Sequence, residues 1–248
     1  MPSTRRHLLK TAAAAATLLS TGRELHPQAQ QPKLKFLIAG GHPGDPEYGC
    51  GGTIARLTTA GHDAVLLYLN EGAWQTPAPI RTAEARKACD ILRARPTWAG
   101  QTDNRSIVDE AHFAAFQKII EAEKPDAVFT HWPIDNHPDH RAITSLLHEA
   151  WNRLKCPFPI YYYEVSSGDD TLQFPAPTHF IDITPVADTK KAACTAHASQ
   201  NPGYFYDLQD SVARFRGLES GHTRAEAFVL LTRSPYDVLP RAGLSSVV

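Results

Sequence analysis

Two stretches of this sequence gather imidazoles and carboxylates more densely than packing requires. The first is His42-Pro43-Gly44-Asp45-Pro46-Glu47; the second runs from His131 through Asp135, His137 and Asp139 to His140. In the second stretch, Pro138 suits the first position of a helix, which puts His137 at the cap and His140 in the first turn. Residues i and i+3 share a helix face, so these two histidines approach one reaction centre from one side. A helix N-terminus also favours negative charge, such as a developing oxyanion. Together His42, Asp45 and His140 supply two imidazoles and one carboxylate, the usual donor count for a catalytic zinc site with an open position. Zinc lowers the pKa of a bound water toward ~7 and so makes a nucleophile at neutral pH. Other divalent metals accept the same donors. For Asp45 a plainer role stays open, because an Asp before Pro46 also reads as a helix N-cap. On residues alone the chemistry is metal-assisted hydrolysis.

Such side chains need elements that end beside one another. Lys35–Gly41 is a short apolar run that predicts a buried strand ending at the first motif. Pro46 to Ala60 has helical spacing and stops at Gly61. Further strands are predicted at Ala64–Leu69, Ala127–Thr130, Ile160–Glu164, Phe180–Ile183 and Ala227–Leu231. Helices are predicted at Thr82–Arg93, Glu110–Glu123, Pro138–Arg153, Pro185–His197 and Ser211–Glu219. Asn70–Pro79, Ala99–Asp109 and Val165–Thr178 read as loops, the last carrying Gly168-Asp169-Asp170 as a rim around a site. Alternation of this kind implies one α/β domain with a mostly parallel sheet and helices on both faces. Ligands in such sheets bind beyond the carboxyl ends of the strands, where both histidine motifs fall.

The N-terminus reads differently from the rest. Arg5-Arg6-His7-Leu8-Leu9-Lys10 resembles a twin-arginine export signal, and the Ala/Leu-rich run from Thr11 to Leu19 has the length of a signal core. A membrane span needs about 20 apolar residues, so none is expected in the mature protein. Residues 1–30 are therefore assigned to an export signal and 31–248 to the functional domain. The twin-arginine export machinery becomes a partner, and the periplasm or extracellular space of a bacterium the destination. The net charge of −1 over 248 residues offers no field for nucleic acid. The order G-x-G-x-x-G is absent from the first strand–helix turn, which argues against a dinucleotide. Cys50, Cys89, Cys156 and Cys194 form no C-x-x-C pair, and whether any are bridged stays open.

HPGDPE with GGTIARL, then HPDH, then AHASQ and the FRG…AEAF stretch resemble, in that order, the PIG-L/LmbE-type family of zinc-dependent N-acetyl deacetylases. The resemblance covers roughly Lys35 to Leu231. It implies a Rossmann-like domain that removes acetyl from an N-acetylated amino sugar or glycoconjugate of the N-acetylglucosamine type. Carried across, it implies His42, Asp45 and His140 as Zn2+ ligands and His137 as the group that stabilises the tetrahedral intermediate or protonates the leaving amine. Asp139 would orient or tune a histidine. Arg81 (with Glu84), Asp103 and His197 would stand on the substrate side.

One position departs from the family. Its usual form is H-P-D-D, whose first Asp is the general base, and here that position is Gly44. Loss of a positioned base costs about 10²–10⁴ in rate. Either the protein is slow, or Glu47 or Asp139 substitutes, or catalysis is lost. Three readings follow: a secreted zinc deacetylase of amino sugars, a non-catalytic binding relative, and a metal hydrolase of another amide. Trp74 and Trp132 offer faces for a sugar to stack on, against the ordinary alternative of burial.

Overall fold

In β1 (Lys35–Gly40) the side chains alternate between two cores. Phe36 and Ile38 join one, and Leu37 and Ala39 the other. A strand with both faces covered reads as the unbroken apolar run seen in the sequence. β2 (Asp63–Asn70) does the same, with Leu66 and Tyr68 on one face and Val65, Leu67 and Leu69 on the other. The structure is a computed structural model that describes residues 32–165, 171 and 173–232. The export-signal residues 1–30 and Gly168-Asp169-Asp170 lie outside the described residues.

The remaining elements follow in alternation. α1 (Asp45–Thr59) joins β1 to β2, and α2 (Ala78–Leu92) joins β2 to β3 (Arg95–Gln101). α3 (Glu110–Glu123) leads to β4 (Ala127–His131), and α4 (Pro138–Arg153) to β5 (Ile160–Tyr163). β6 (His179–Asp182), α5 (Ala187–Thr195), α6 (Pro202–Ser220) and β7 (Ala225–Leu230) complete the chain. The seven strands lie in the order β3-β2-β1-β4-β5-β7-β6. The first five are parallel, and β7 runs antiparallel to both β5 and β6. Ile54 and Leu57 of α1, Leu92 of α2, Cys194 of α5 and Ala213 of α6 cover one face; Phe116 of α3 and Ile143 and Leu147 of α4 cover the other.

This topology decides where a ligand sits. After β1 the chain crosses to β2 on one side, while β4 lies on the other, so the strand order reverses between β1 and β4. A crevice opens at such a switch point, at the carboxyl ends of the strands. The loop Gly41–Gly44 leaves β1 there, and residues 132–137 leave β4 beside it.

Several boundaries differ from the sequence reading, each for a local reason. The strand β3 falls on residues 95–98, where no element was expected, and on the start of the expected Ala99–Asp109 loop. It is an edge strand, mostly half-exposed and containing Pro96, so neither apolar alternation nor β propensity marks it. α2 begins at Ala78 and α6 at Pro202, earlier than expected, with Pro79 and Pro202 in their first turns. Gly44, not Asp45, is the cap of α1. The glycines Gly49, Gly51 and Gly52 lie inside α1 and form no turn. Cys50, Cys89 and Cys194 are buried free thiols. Among the described residues no helix is long and apolar enough to cross a membrane.

Candidate functional site

Both motifs reach the switch point because their backbones are built to bring them there. Gly41 follows β1, and a Cβ on it would come 2.8 Å from His140 Cδ2, so only glycine lets the two loops close on each other. Gly44 turns the chain into α1 at φ 113°, in the region that L side chains avoid. In the second loop, Pro138 opens α4 and His137 caps it, accepting the Asp139 N–H at Nδ1 over 3.2 Å. That cap was predicted from Pro138.

Three atoms then converge. Asp45 Oδ2 lies 3.2 Å from His42 Nδ1 and 3.1 Å from His140 Nε2. The far nitrogen of each ring is held by another carboxylate. His42 Nε2 meets Asp139 Oδ2 at 3.0 Å and Asp103 Oδ1 at 3.4 Å, and His140 Nδ1 meets Asp135 Oδ1 at 3.0 Å. Each backing carboxylate keeps a proton on the far nitrogen and leaves the near one with a lone pair. With the far nitrogens so held, the near nitrogens of both rings lie beside Asp45 Oδ2, where they can share protons with it or, deprotonated, offer lone pairs to a metal ion. Tetrahedral bonds of about 2.0–2.1 Å have donor–donor edges of roughly 3.3 Å, close to the observed separations. Carboxylate–histidine pairs behind the ligands are also the usual supporting shell of a bound metal. The residues fit a divalent ion: His42, His137 and His140 form one group of donors close enough to share it, and Asp45, His131 and His140 another, with His140 common to both.

The electrostatics agree with that geometry. Burial alone would lower the basicity of His140, but Asp45 and Asp135 on either side raise it to about 9. Burial opposes charge on His42 too, yet Asp103, Asp139 and Asp45 raise it well above the ordinary imidazole range. Burial would raise the Asp45 carboxyl, and the surrounding His140, His131 and His42 hold it well below its usual range. Without metal, protons stand where the cation would stand. His131 behaves oppositely. Its ring stacks on that of His140 at 3.8 Å, and burial with the His140 charge lowers it to about 4.

Around this centre a cavity of about 350 Å³ opens. His137 lines it, its ring centroid 4.5 Å from that of His42 and 4.9 Å from that of His140. Burial and the His42 and His140 charges lower its pKa. Arg81, Asp103 and His197 line the same cavity. Arg81 does pair with Glu84, its Nη1 lying 3.9 Å from Glu84 Oε2, but the pair is largely buried; its Nη2 and Nε donate to Pro43 O and Gly72 O, and Nη1 has no hydrogen-bond partner. Asp103 Oδ2 accepts the Trp74 N–H at 2.9 Å. Glu47 and Asp139 stand behind the wall. Glu47 is fully buried, accepting from Tyr68 Oη at 2.7 Å and the Gly44 N–H at 3.2 Å, with His197 Nε2 at 3.0 Å. Asp139 Oδ2 takes the Asn70 amide and the Asn104 N–H besides His42.

Several partners had no separate role in the sequence. Asp135 lay within the second motif, but its bond to His140 depends on the loop's return. Asn70 closes β2, and His131 closes β4; position at a strand's carboxyl end was their one available signal. The Glu47–His197 contact joins residues 150 apart, which no local pattern reveals.

The chain is similar to several known proteins. The model of the PIG-L family, described as GlcNAc-PI de-N-acetylase, matches residues 37–151. A relative from Thermococcus kodakarensis, a diacetylchitobiose deacetylase, is 30% identical over 222 residues, covering 77% of this chain and 81% of its own. A solved structure of a conserved protein from Thermus thermophilus superposes with a TM-score of 0.71 at 27% identity, over 84% of this chain and 97% of that one. The N,N′-diacetylchitobiose deacetylase of Pyrococcus horikoshii shares the fold, with a TM-score of 0.69 at 22% identity over 96% and 98% of the two chains.

Proposed function

This chain belongs to the PIG-L family of GlcNAc-PI de-N-acetylases, and on that premise we propose that it hydrolyses the N-acetyl group of an N-acetylglucosamine-type amino sugar. The observation that carries the reading is the convergence of His42 Nδ1, His140 Nε2 and Asp45 Oδ2, each imidazole backed by a carboxylate. Two imidazoles and a carboxylate are the donor set of catalytic zinc sites, so Zn2+ is the ion we assign to them. When bound, such an ion polarises the amide carbonyl and acidifies water.

The chain's own residues supply the rest. Burial lowers the pKa of His137 and so favours its neutral form. Its Nδ1 accepts from the helix, so its proton sits on Nε2. That N–H would donate to the oxyanion as water adds to the carbonyl carbon, and the proton that water loses is the one the leaving nitrogen gains as the C–N bond breaks. Acetate and a free amine are the products. Asp139 fixes the His42 ring, and Asn70 and Asn104 fix Asp139. Glu47 holds His197 and the Gly44 N–H, a positioning role consistent with its burial. Asp103, Arg81 and His197 line the cavity that would hold the sugar. Export by the Arg5-Arg6 segment, with action outside the cytoplasm, belongs to the same reading.

Gly44 favours a second reading, a relative that binds an N-acetyl sugar and turns it over slowly or not at all. A panel of N-acetylated sugars and N-acyl amino acids, assayed for acetate and free amine, separates the alternatives. Amine release from the sugars supports the proposal. Release from the amino acids alone, or sugar binding with no release, would overturn it.

A further inference from the structure

His131 closes β4 and takes no part in the chemistry above, yet it is fully buried against the centre of it. Its ring lies parallel to that of His140, the planes 8° apart and the centroids at 3.8 Å. Its Nε2 accepts the Gly41 N–H at 3.1 Å and stands 3.3 Å from Asp45 Oδ2. The Tyr163 hydroxyl is also 3.3 Å from that nitrogen, but its proton goes to Ala39 O at 2.9 Å. With the Gly41 N–H on Nε2, the ring proton sits on Nδ1, which has no hydrogen-bond partner among the described residues. An unpaired donor in the interior is destabilising. A phenylalanine would fill the same space without one, so packing alone does not account for an imidazole here.

Two loops meet at this ring. Gly41 precedes His42, whose own N–H donates to Asp45 Oδ2 at 2.8 Å. The bond from Gly41 to His131 therefore holds the backbone that presents both proposed ligands of the first loop. On the second loop, the stack sets the plane of the His140 ring, while Asp135 at Nδ1 sets its direction within that plane. An imidazole does both, because its edge accepts while its face packs; phenylalanine offers the face alone and glutamine the acceptor alone. Asp45, His131 and His140 are close enough to share an ion, but the Gly41 N–H already engages the His131 lone pair. We propose that His131 is a positioning residue of the metal centre, setting the His42–Asp45 loop and the His140 ring against one another without itself binding the ion.

The inference rests on the reading of His42, Asp45 and His140 as ligands, and the test separates the two. Chelator competition gives the Zn2+ affinity of the wild type, His131→Ala, His131→Phe and His131→Gln. The visible absorption of the Co2+-loaded proteins reports the geometry of the donors, since Co2+ accepts the same set. Thermal melts of the stripped proteins report folding. His131→Ala should lose about 10–100-fold in affinity and shift the Co2+ bands, the scale of losing a group that supports a ligand. His131→Phe and His131→Gln, each keeping one of the two contacts, should lose less than about tenfold and still fall short of the wild type. Wild-type affinity and bands in any of the three, even with a lowered melting temperature, would overturn the proposal. A loss beyond about tenfold in all three would overturn it too, by marking His131 as a ligand. Should His131→Ala not fold, the other two variants decide by the same limits. A wild type that binds no zinc refutes the metal reading and this inference with it, whereas zinc bound equally by wild type and variants refutes the inference alone.

Discussion

Removing Asp135 tests whether the carboxylates behind the histidines serve a metal. Asp135 Oδ1 accepts from His140 Nδ1 at 3.0 Å and from the His137 N–H at 2.8 Å. Asp135→Ala deletes both contacts at once. The His140 ring loses the partner that keeps its proton on Nδ1, so the tautomer with a proton on Nε2, facing Asp45, becomes competitive. Losing such a supporting carboxylate weakens metal binding by about 10–100-fold, or roughly 1.4–2.7 kcal/mol. Asp135→Asn is the internal control. The amide oxygen can still accept from both donors, so its loss of affinity should stay under about tenfold. Competition with a chromogenic chelator at neutral pH measures both variants against the wild type. Equal affinity in Asp135→Ala and the wild type, with both proteins folded, would refute the inference that His140 is a ligand held by Asp135.

Stability of the metal-free protein should depend on pH through His140. Its folded-state value of about 9 lies above the ~6.5 of an unfolded imidazole, so its contribution is full below pH ~6.5 and is lost as pH rises through about 9. The difference corresponds to roughly 3 kcal/mol, and the raised His42 acts in the same direction. Thermal melts of the stripped protein should show an alkaline decline that the metal-loaded protein lacks, because the ion takes the place of the protons; identical declines in both would contradict the site. Gly44→Asp should fold, since its Cβ would stand 3.4 Å from Tyr48 Cε2, an ordinary contact. Its φ of 113° should nonetheless cost about 1–3 kcal/mol, visible as a lowered Tm. Restoring the missing carboxylate should raise kcat about 10²-fold or more, and a variant that folds but gains nothing would show that proton transfer does not limit this chain.

How much was legible in the sequence follows from how local each cause is. α4 was predicted at Pro138–Arg153 and found there, because Pro138 and the capping His137 write its start into adjacent residues. β1 and β2 announced themselves as apolar runs because both faces are covered. β3 did not, because an edge strand carrying Pro96 has little reason to be apolar. At the site, the motifs placed His42, Asp45, His137 and His140 side by side in expectation, and the structure gathers His42, His137 and His140 in one group of donors and Asp45 with His140 in a second that includes His131. The burial of Glu47 behind the wall, its bond to His197 and the role of Asp135 depend on tertiary closure. Trp74 illustrates the same limit, since its type suggested either burial or stacking and only the fold reveals its exposure.

The central claim is that the His42–Asp45–His140 centre makes this chain a metal-dependent amino-sugar deacetylase. It is tested most directly by stripping the protein of metal, titrating Zn2+ back, and following acetate release from N,N′-diacetylchitobiose. Release should vanish on stripping and return in proportion to added ion until one ion per chain is bound. Full release from the stripped protein, or none from the protein with one ion bound, would contradict the claim.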